Sequence, residues 1–276
     1  MFEVRLRAGP IFFLSIPFFM HEVDNFSLDG GMMNIEQHQS EILRNKNAWQ
    51  SKRLLRTIYD SFYSQIIELI DPMVKGKVVE LGSGVGNLKS ALPHAVCTDL
   101  FPNPWLDTVC SAYAMPFENG SVSHLVLFDV FHHLERPNAF FKEARRVLIH
   151  GGRVIIFEPY MSASSKAVYG LLHHEPIAWN KPINHSDDPP SGDQYYAAQG
   201  NATRLFFRLD TENWLKGWKV FHRQPVVSFS YLLSGGYSKP AMYPETVLPL
   251  LQKIDAMLSP MPSLFAARCL IGLTPE

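Results

Sequence analysis

The stretch VVELGSGVGNL, residues 78–88, governs how the rest of the chain is read. A short buried strand, VVEL, runs straight into three glycines at alternate positions, Gly82, Gly84 and Gly86. With no Cβ in the way, such a backbone can turn tightly and approach a ligand closely. A helix behind it would present unpaired N–H groups. The spacing is G-x-G-x-G, and Asn87 stands where a dinucleotide fingerprint wants its third glycine. Two acids frame the turn. Glu80 lies just ahead of the first glycine, and Asp99 follows it by 19 residues at the end of the next apolar run. A carboxylate at Glu80 repels a pyrophosphate and suits a ligand that carries positive charge. Asp99 is placed to accept two ribose hydroxyls.

Outward from this turn, apolar strands alternate with helical text. A helix is expected over 87–92, and strands over 95–100, near 108–110, over 123–128 and over 152–159, with a helix at 139–148 before the last. That rhythm predicts an α/β domain whose mostly parallel sheet is covered on both faces. Upstream, Leu54, Ile58, Phe62, Ile66 and Ile70 recur at four-residue steps, the mark of an amphipathic helix within 35–70, which Asp71-Pro72 stops. Downstream the rhythm breaks. Residues 161–204 hold short helical pieces and the polar run NHSDDPPSGDQYYAAQGN, which reads as a lid. A helix near 211–216, apolar sequence over 220–233, a helix over 245–258 and the strand-like LFAARCLIGL, 264–273, complete the chain.

These motifs together resemble the class I S-adenosylmethionine (SAM)-dependent methyltransferases, in particular the small-molecule subgroup with a methyltransferase-11-like core. Besides the glycine turn, SAYAMPFENGSVSHL, FDVFHHLERP and EARRVLIHGGRVIIFEP follow the family's motifs in order across residues 78–159. The resemblance implies a seven-stranded Rossmann-like sheet with an N-terminal helical extension and a lid insertion after the fifth strand. Its last two strands form an antiparallel hairpin, and LFAARCLIGL suits that place. SAM is the implied cofactor; its sulfonium and α-ammonium match Glu80. The family places Glu80, Gly82, Ser83, Gly84 and Gly86 around the methionine moiety and its turn. It places Asp99 at the ribose, Leu100 and Ala112 beside the adenine, and Asp129 on the methionine side. Ser111 stands where many members have an aspartate facing the adenine amino group; a hydroxyl can still accept. His124 and Leu125 replace the family's usual Phe-Asp, a change read as one of packing.

The catalytic candidates are His133, His132 and Glu158, with Tyr160 beside the last; a base is needed only if the acceptor must lose a proton. The two histidines also suit packing and capping. His173, His174 and Glu175 lie together in the lid without zinc-site spacing, so no metal is expected. Tyr169, Trp179, Tyr195 and Tyr196 could close an amphipathic pocket or form a satellite core, and Asp187, Asp188 and Asp193 read as a solvated loop face.

Composition limits the partners. The chain has 276 residues, 46% hydrophobic and 18% charged, with a formal net charge of −1. That is enough apolar material for one full core, and the balance of charge argues against nucleic acid. Lys52, Arg53 and Arg56, the one local basic excess, read as a solvated helix face. Cys97, Cys110 and Cys269 read as core residues in a reducing compartment, and a cytoplasmic protein is expected. The run IFFLSIPFFM, 11–20, contains Pro17, lacks a cleavage site and is too short to span a bilayer. Residues 1–32 are therefore read as an extension before a start at Met32 or Met33, or as a packed hairpin. The domain proper runs over 33–276, with a helical part at 35–72, a core at 76–160, a lid at 161–204 and C-terminal elements at 205–276. The expected function is methyl transfer to a small molecule, with a glycan or lipid precursor among the acceptors considered. The alternatives are a SAM-binding protein without turnover and an NAD(P)-dependent oxidoreductase.

Overall fold

The computed structural model describes residues 35–172, 175–191, 196–209 and 211–276. The expectations for residues 1–32, the start site, His173, His174, Asp193 and Tyr195 lie outside them. In chain order the elements are α1 (Ile35–Ser51), α2 (Arg53–Glu68), β1 (Lys77–Leu81), β2 (Val96–Asp99), β3 (Thr108–Val109) and β4 (Val122–Phe128), then α3 (Pro137–Val147), β5 (Leu148–Pro159) and α4 (Ala163–Leu172). They continue with α5 (Asn201–Phe207), α6 (Thr211–Trp214), β6 (Trp218–Val227), α7 (Phe229–Leu233), α8 (Leu248–Leu258), α9 (Pro262–Phe265) and β7 (Ala266–Pro275).

The seven strands form one sheet in the order β3-β2-β1-β4-β5-β7-β6. Pairing is parallel from β3 to β5, and β7 runs antiparallel to both β5 and β6. Alternate residues divide between the faces, as the pleat requires. Val78, Val126, Ile155 and Phe157 pack with Leu55, Ile58, Phe62 and Ile66 of α2. Val79, Leu81, Leu125, Leu127, Val154 and Ile156 pack with Phe140, Phe141 and Ala144 of α3 and with Leu205 and Phe206 of α5. Each of those side chains is almost completely buried, which, for all but the small Ala144, stabilises the fold by about 1.5–3 kcal/mol apiece.

The structure changes several details of the sequence reading. The helical text over 35–70 is two helices that break at Lys52. Lys52 is not on a solvated face: its Nζ donates to the carbonyls of Gly236 (2.7 Å), Tyr237 (3.4 Å) and Lys239 (2.6 Å). Arg56 likewise donates to the carbonyls of Trp49 and Gln50, whereas the Arg53 side chain is 77% exposed. His124 does more than pack. Its buried Nε2 accepts the Asp71 N–H (2.9 Å) and so pins the turn that ends α2. Burial holds this imidazole down at about 4, which keeps it a neutral acceptor. β7 starts at Ala266 because Pro262 opens the short α9 just before it. All three cysteines are buried and free.

Candidate functional site

The strand order reverses between β1 and β4, where the chain leaves β1 toward β2 on one side and returns to β4 on the other. Ligands of open α/β sheets bind at the carboxyl ends flanking such a point. Here those ends are Leu81 and Phe128, the first in register with Leu127 of its neighbour. The glycine turn leaves β1 at this point, with Gly82, Gly84 and Gly86 all at positive φ (63°, 53° and 69°). A Cβ at Gly82 would run into the Val130 side chain behind β4, so glycine is needed for close packing as well as for its φ.

Hydrogen bonds fix the turn to β2. Ser83 N–H donates to the Thr98 carbonyl (2.8 Å) and Gly84 N–H to Asp99 Oδ2 (3.0 Å). Asn103 Nδ2 donates to the Gly84 carbonyl (3.0 Å). Asp99 thus braces the loop while retaining lone pairs for further donors. Glu80 is buried in β1, and the Cys97 thiol approaches its Oε2 at 3.7 Å. Burial raises the Glu80 carboxyl to about 8, against a smaller pull down from that thiol. Leu100 is half exposed next to Asp99, as a side chain covering a flat ring would be. Ser111 and Ala112 follow β3, on the far side of β2, where Ser111 Oγ accepts the Tyr113 N–H (3.2 Å).

The expected helix over 87–92 is only one 3₁₀ turn, Asn87–Ser90. A pyrophosphate would find no helix dipole of useful length behind the glycines. A cofactor without phosphates loses nothing by that. Ser83 Oγ is buried and finds no hydrogen-bond partner among the described residues, a polar atom that a ligand in the turn would satisfy. The residues present fit SAM, with Glu80, the glycine turn and Asp99 as the groups that would hold it.

At the end of β4, Asp129 takes φ 56°, unusual for a residue other than glycine. Its carboxylate meets Arg268 Nη2 at 2.6 Å. Arg268 is buried on β7, stacked near Tyr231 (5.1 Å), Phe157 (5.2 Å) and Phe128 (5.4 Å). An aromatic wall adjoins this pair. Tyr59 lies 5.1 Å from Phe128, 5.4 Å from Tyr237 and 5.7 Å from Trp49, measured between ring centroids, and Tyr63 lies 5.6 Å from Phe128. Asn87 Nδ2 donates to the Tyr237 hydroxyl (2.9 Å), tying the wall to the glycine turn. Sequence reading missed this wall. Its signals were Tyr59 and Tyr63, four residues apart on the counted helix, and Arg268 inside an apolar strand.

Glu158 is turned into the interior rather than toward open space. It is fully buried, its Oε1 accepting the Phe131 N–H and its Oε2 the His132 Nδ1–H, both at 2.6 Å. Tyr160 is buried too, edge-on to Phe207. Burial pulls the His132 imidazole down, but Glu158 and Glu175 outweigh it and raise the ring to about 10. His133, a third exposed in its side chain, donates from Nδ1 to the Tyr196 carbonyl (2.9 Å). Burial and then the His132 charge lower it to about 4.

Residues 79–156, which run from β1 through β5, match the model of a methyltransferase domain family. Over that segment the chain is similar to the class I SAM-dependent methyltransferases, and its sheet has their fold. SAM is the cofactor of that family. Two solved structures are similar in fold. A SAM-dependent methyltransferase from Thermotoga maritima is 15% identical with a TM-score of 0.49, over 86% of this chain and 99% of that one. A geranyl diphosphate C-methyltransferase from Streptomyces coelicolor, solved with Mg2+, geranyl diphosphate and S-adenosyl-L-homocysteine, is 12% identical with a TM-score of 0.47, over 84% and 83%. No curated protein sequence matches the chain. Among the described residues no helix is long and apolar enough to cross a membrane.

Proposed function

We propose that this methyltransferase is active and transfers a methyl group to a small molecule held between Asp129 and the aromatic wall. The observation that carries the reading is the meeting, at one switch point, of the glycine turn, Glu80, Asp99 and Asp129 with that wall. When bound, SAM supplies an electrophilic methyl on a sulfonium leaving group. Glu80 would face the cofactor's positive charge, Asp99 its ribose hydroxyls, and Leu100, Ser111 and Ala112 its adenine. The protein's work is then orientation and the exclusion of water. Tyr231 and Tyr237, the partly buried rings of the wall, offer apolar faces with phenol tips suited to an amphipathic acceptor, backed by the buried Tyr59 and Tyr63. Glu158 and His132 are positioning residues that hold the segment after β4, where Asp129 turns. The buried thiols and the absence of a spanning helix among the described residues are compatible with a cytoplasmic enzyme.

The test is turnover. Incubated with methyl-labelled SAM and a fractionated small-metabolite extract, the full chain is expected to label at least one fraction and to release S-adenosylhomocysteine in equal amount. Tyr231→Ala, at a partly buried ring of the wall, should reduce labelling at least tenfold while the affinity for S-adenosylhomocysteine changes little. Binding without turnover across all fractions would favour a SAM-binding protein instead.

A further inference from the structure

We propose that His132, His133 and Glu175 form a binding site for a zinc-class divalent cation beside the methyl-transfer site. His132 Nε2 lies 3.4 Å from Glu175 Oε2, and His133 Nε2 lies 3.8 Å from Glu175 Oε1. All three ligand atoms fall within 4.8 Å of one another. Donors about 2.1 Å from a tetrahedral ion stand roughly 3.4 Å apart, so little movement is needed to close on one.

The surroundings match what such a site requires. A metal-binding imidazole generally donates its other N–H to a carboxylate or a backbone carbonyl, which fixes its tautomer and aim. Both histidines do so. His132 Nδ1–H is held by the buried Glu158 (2.6 Å) and His133 Nδ1–H by the Tyr196 carbonyl (2.9 Å). Each ring therefore turns its Nε2 toward Glu175.

Gln199 gives independent support. It is 3% exposed, and its amide reaches both Glu175 Oε2 and His132 Nε2 (3.1 Å). Its Oε1 is buried with no hydrogen-bond partner among the described residues. The two ends of an amide are exchangeable by a flip. The flip would bring that oxygen against the cluster as a further ligand, removing a buried unsatisfied acceptor. Two imidazoles and a carboxylate, with an oxygen or an open position as the fourth ligand, suit zinc-class ions rather than Mg2+ or Ca2+. The Asp129 carboxylate lies within 4.8 Å of the ligand atoms of His132 and Glu158, so the cation would sit close to the proposed transfer site.

Untagged full-length protein, stripped with chelator, would be titrated with Co2+ and then Zn2+. The proposal expects one Co2+ per chain with the visible bands of tetrahedral coordination, displaced by Zn2+, and a melting temperature that rises with either ion. Glu175→Gln and, separately, His133→Ala should each weaken Co2+ binding at least tenfold and abolish the bands, while S-adenosylhomocysteine still stabilises the variants. His133→Ala changes a partly exposed side chain, so it remains informative if Glu175→Gln does not fold. Absence of Co2+ binding, or binding that both variants retain, would overturn the site. A loss of S-adenosylhomocysteine binding in the wild-type chain would count against the methyltransferase reading and leave the cation result standing.

Discussion

Glu80 and Asp99 were both read from sequence as cofactor ligands, and the structure gives each a second task. Burial pushes the Glu80 carboxyl up to about 8 from its ordinary 4.5, so it binds its proton more tightly folded than unfolded. The free protein should therefore lose stability as pH rises between about 4.5 and 8, by at most ~1.4 kcal/mol per pH unit, and no further above that. A cationic ligand reverses the preference by favouring the ionised form, so SAM affinity should rise over the same interval. Glu80→Gln is expected to flatten both profiles and to weaken SAM at high pH, as read by denaturant unfolding and calorimetry across that range. Profiles that stay parallel to the wild type would remove Glu80 from the ligand. Asp99, which accepts the Gly84 N–H, is a brace as well as the proposed ribose ligand. Its removal should lower melting temperature along with affinity, a cost invisible in sequence because the contact joins two loops.

Among the elements, the segment over 161–204 departs furthest from its sequence reading. Turn-forming residues suggested a lid, yet much of it is stitched to the core. Met161 N–H donates to Thr203 Oγ1 (2.8 Å), Ser165 Oγ to the Ala266 carbonyl (2.8 Å) and Ala198 N–H to the His132 carbonyl (3.0 Å). Lys166 sits over the Trp179 ring, 3.5 Å from its centroid. Its composition signalled loops correctly but could not reveal which loop amides find buried acceptors. Hydrogen exchange of the free protein should show Ala198 and Gly200 protected and the mostly exposed stretch over 184–189 exchanging fast. Uniformly fast exchange across 175–204 would restore a lid that moves as a whole. Lys52 teaches the same lesson. Its charge marked a surface, but three carbonyls of the loop that carries Tyr237 capture it.

At the scale of the whole molecule, sequence periodicity and the glycine turn were enough to predict the parallel part of the sheet, while its seven strands and antiparallel edge came from the family resemblance. Strands buried on both faces read as unbroken apolar runs, and β1, β2, β4 and β5 fall within a few residues of their expected places. What escaped was contact across long separations: the wall joining Trp49, Tyr59 and Tyr237, the pairing of Arg268 with Asp129, and the meeting of His132 with Glu175. None has a spacing signature, since each depends on how distant loops pack at one end of the sheet. The glycine turn was legible for the opposite reason, because its chemistry is local to a few consecutive residues.

The most direct test of the account is titration calorimetry of the full chain with SAM, S-adenosylhomocysteine, NAD and NADP, repeated on Asp99→Ala. A carboxylate accepting ribose hydroxyls makes charge-assisted bonds worth roughly 1.5–3 kcal/mol each. SAM and S-adenosylhomocysteine should bind at one site per chain, the nicotinamide cofactors should not, and Asp99→Ala should weaken both adenosyl ligands at least tenfold. Binding of NAD or NADP in preference to SAM, or SAM affinity indifferent to Asp99, would contradict it.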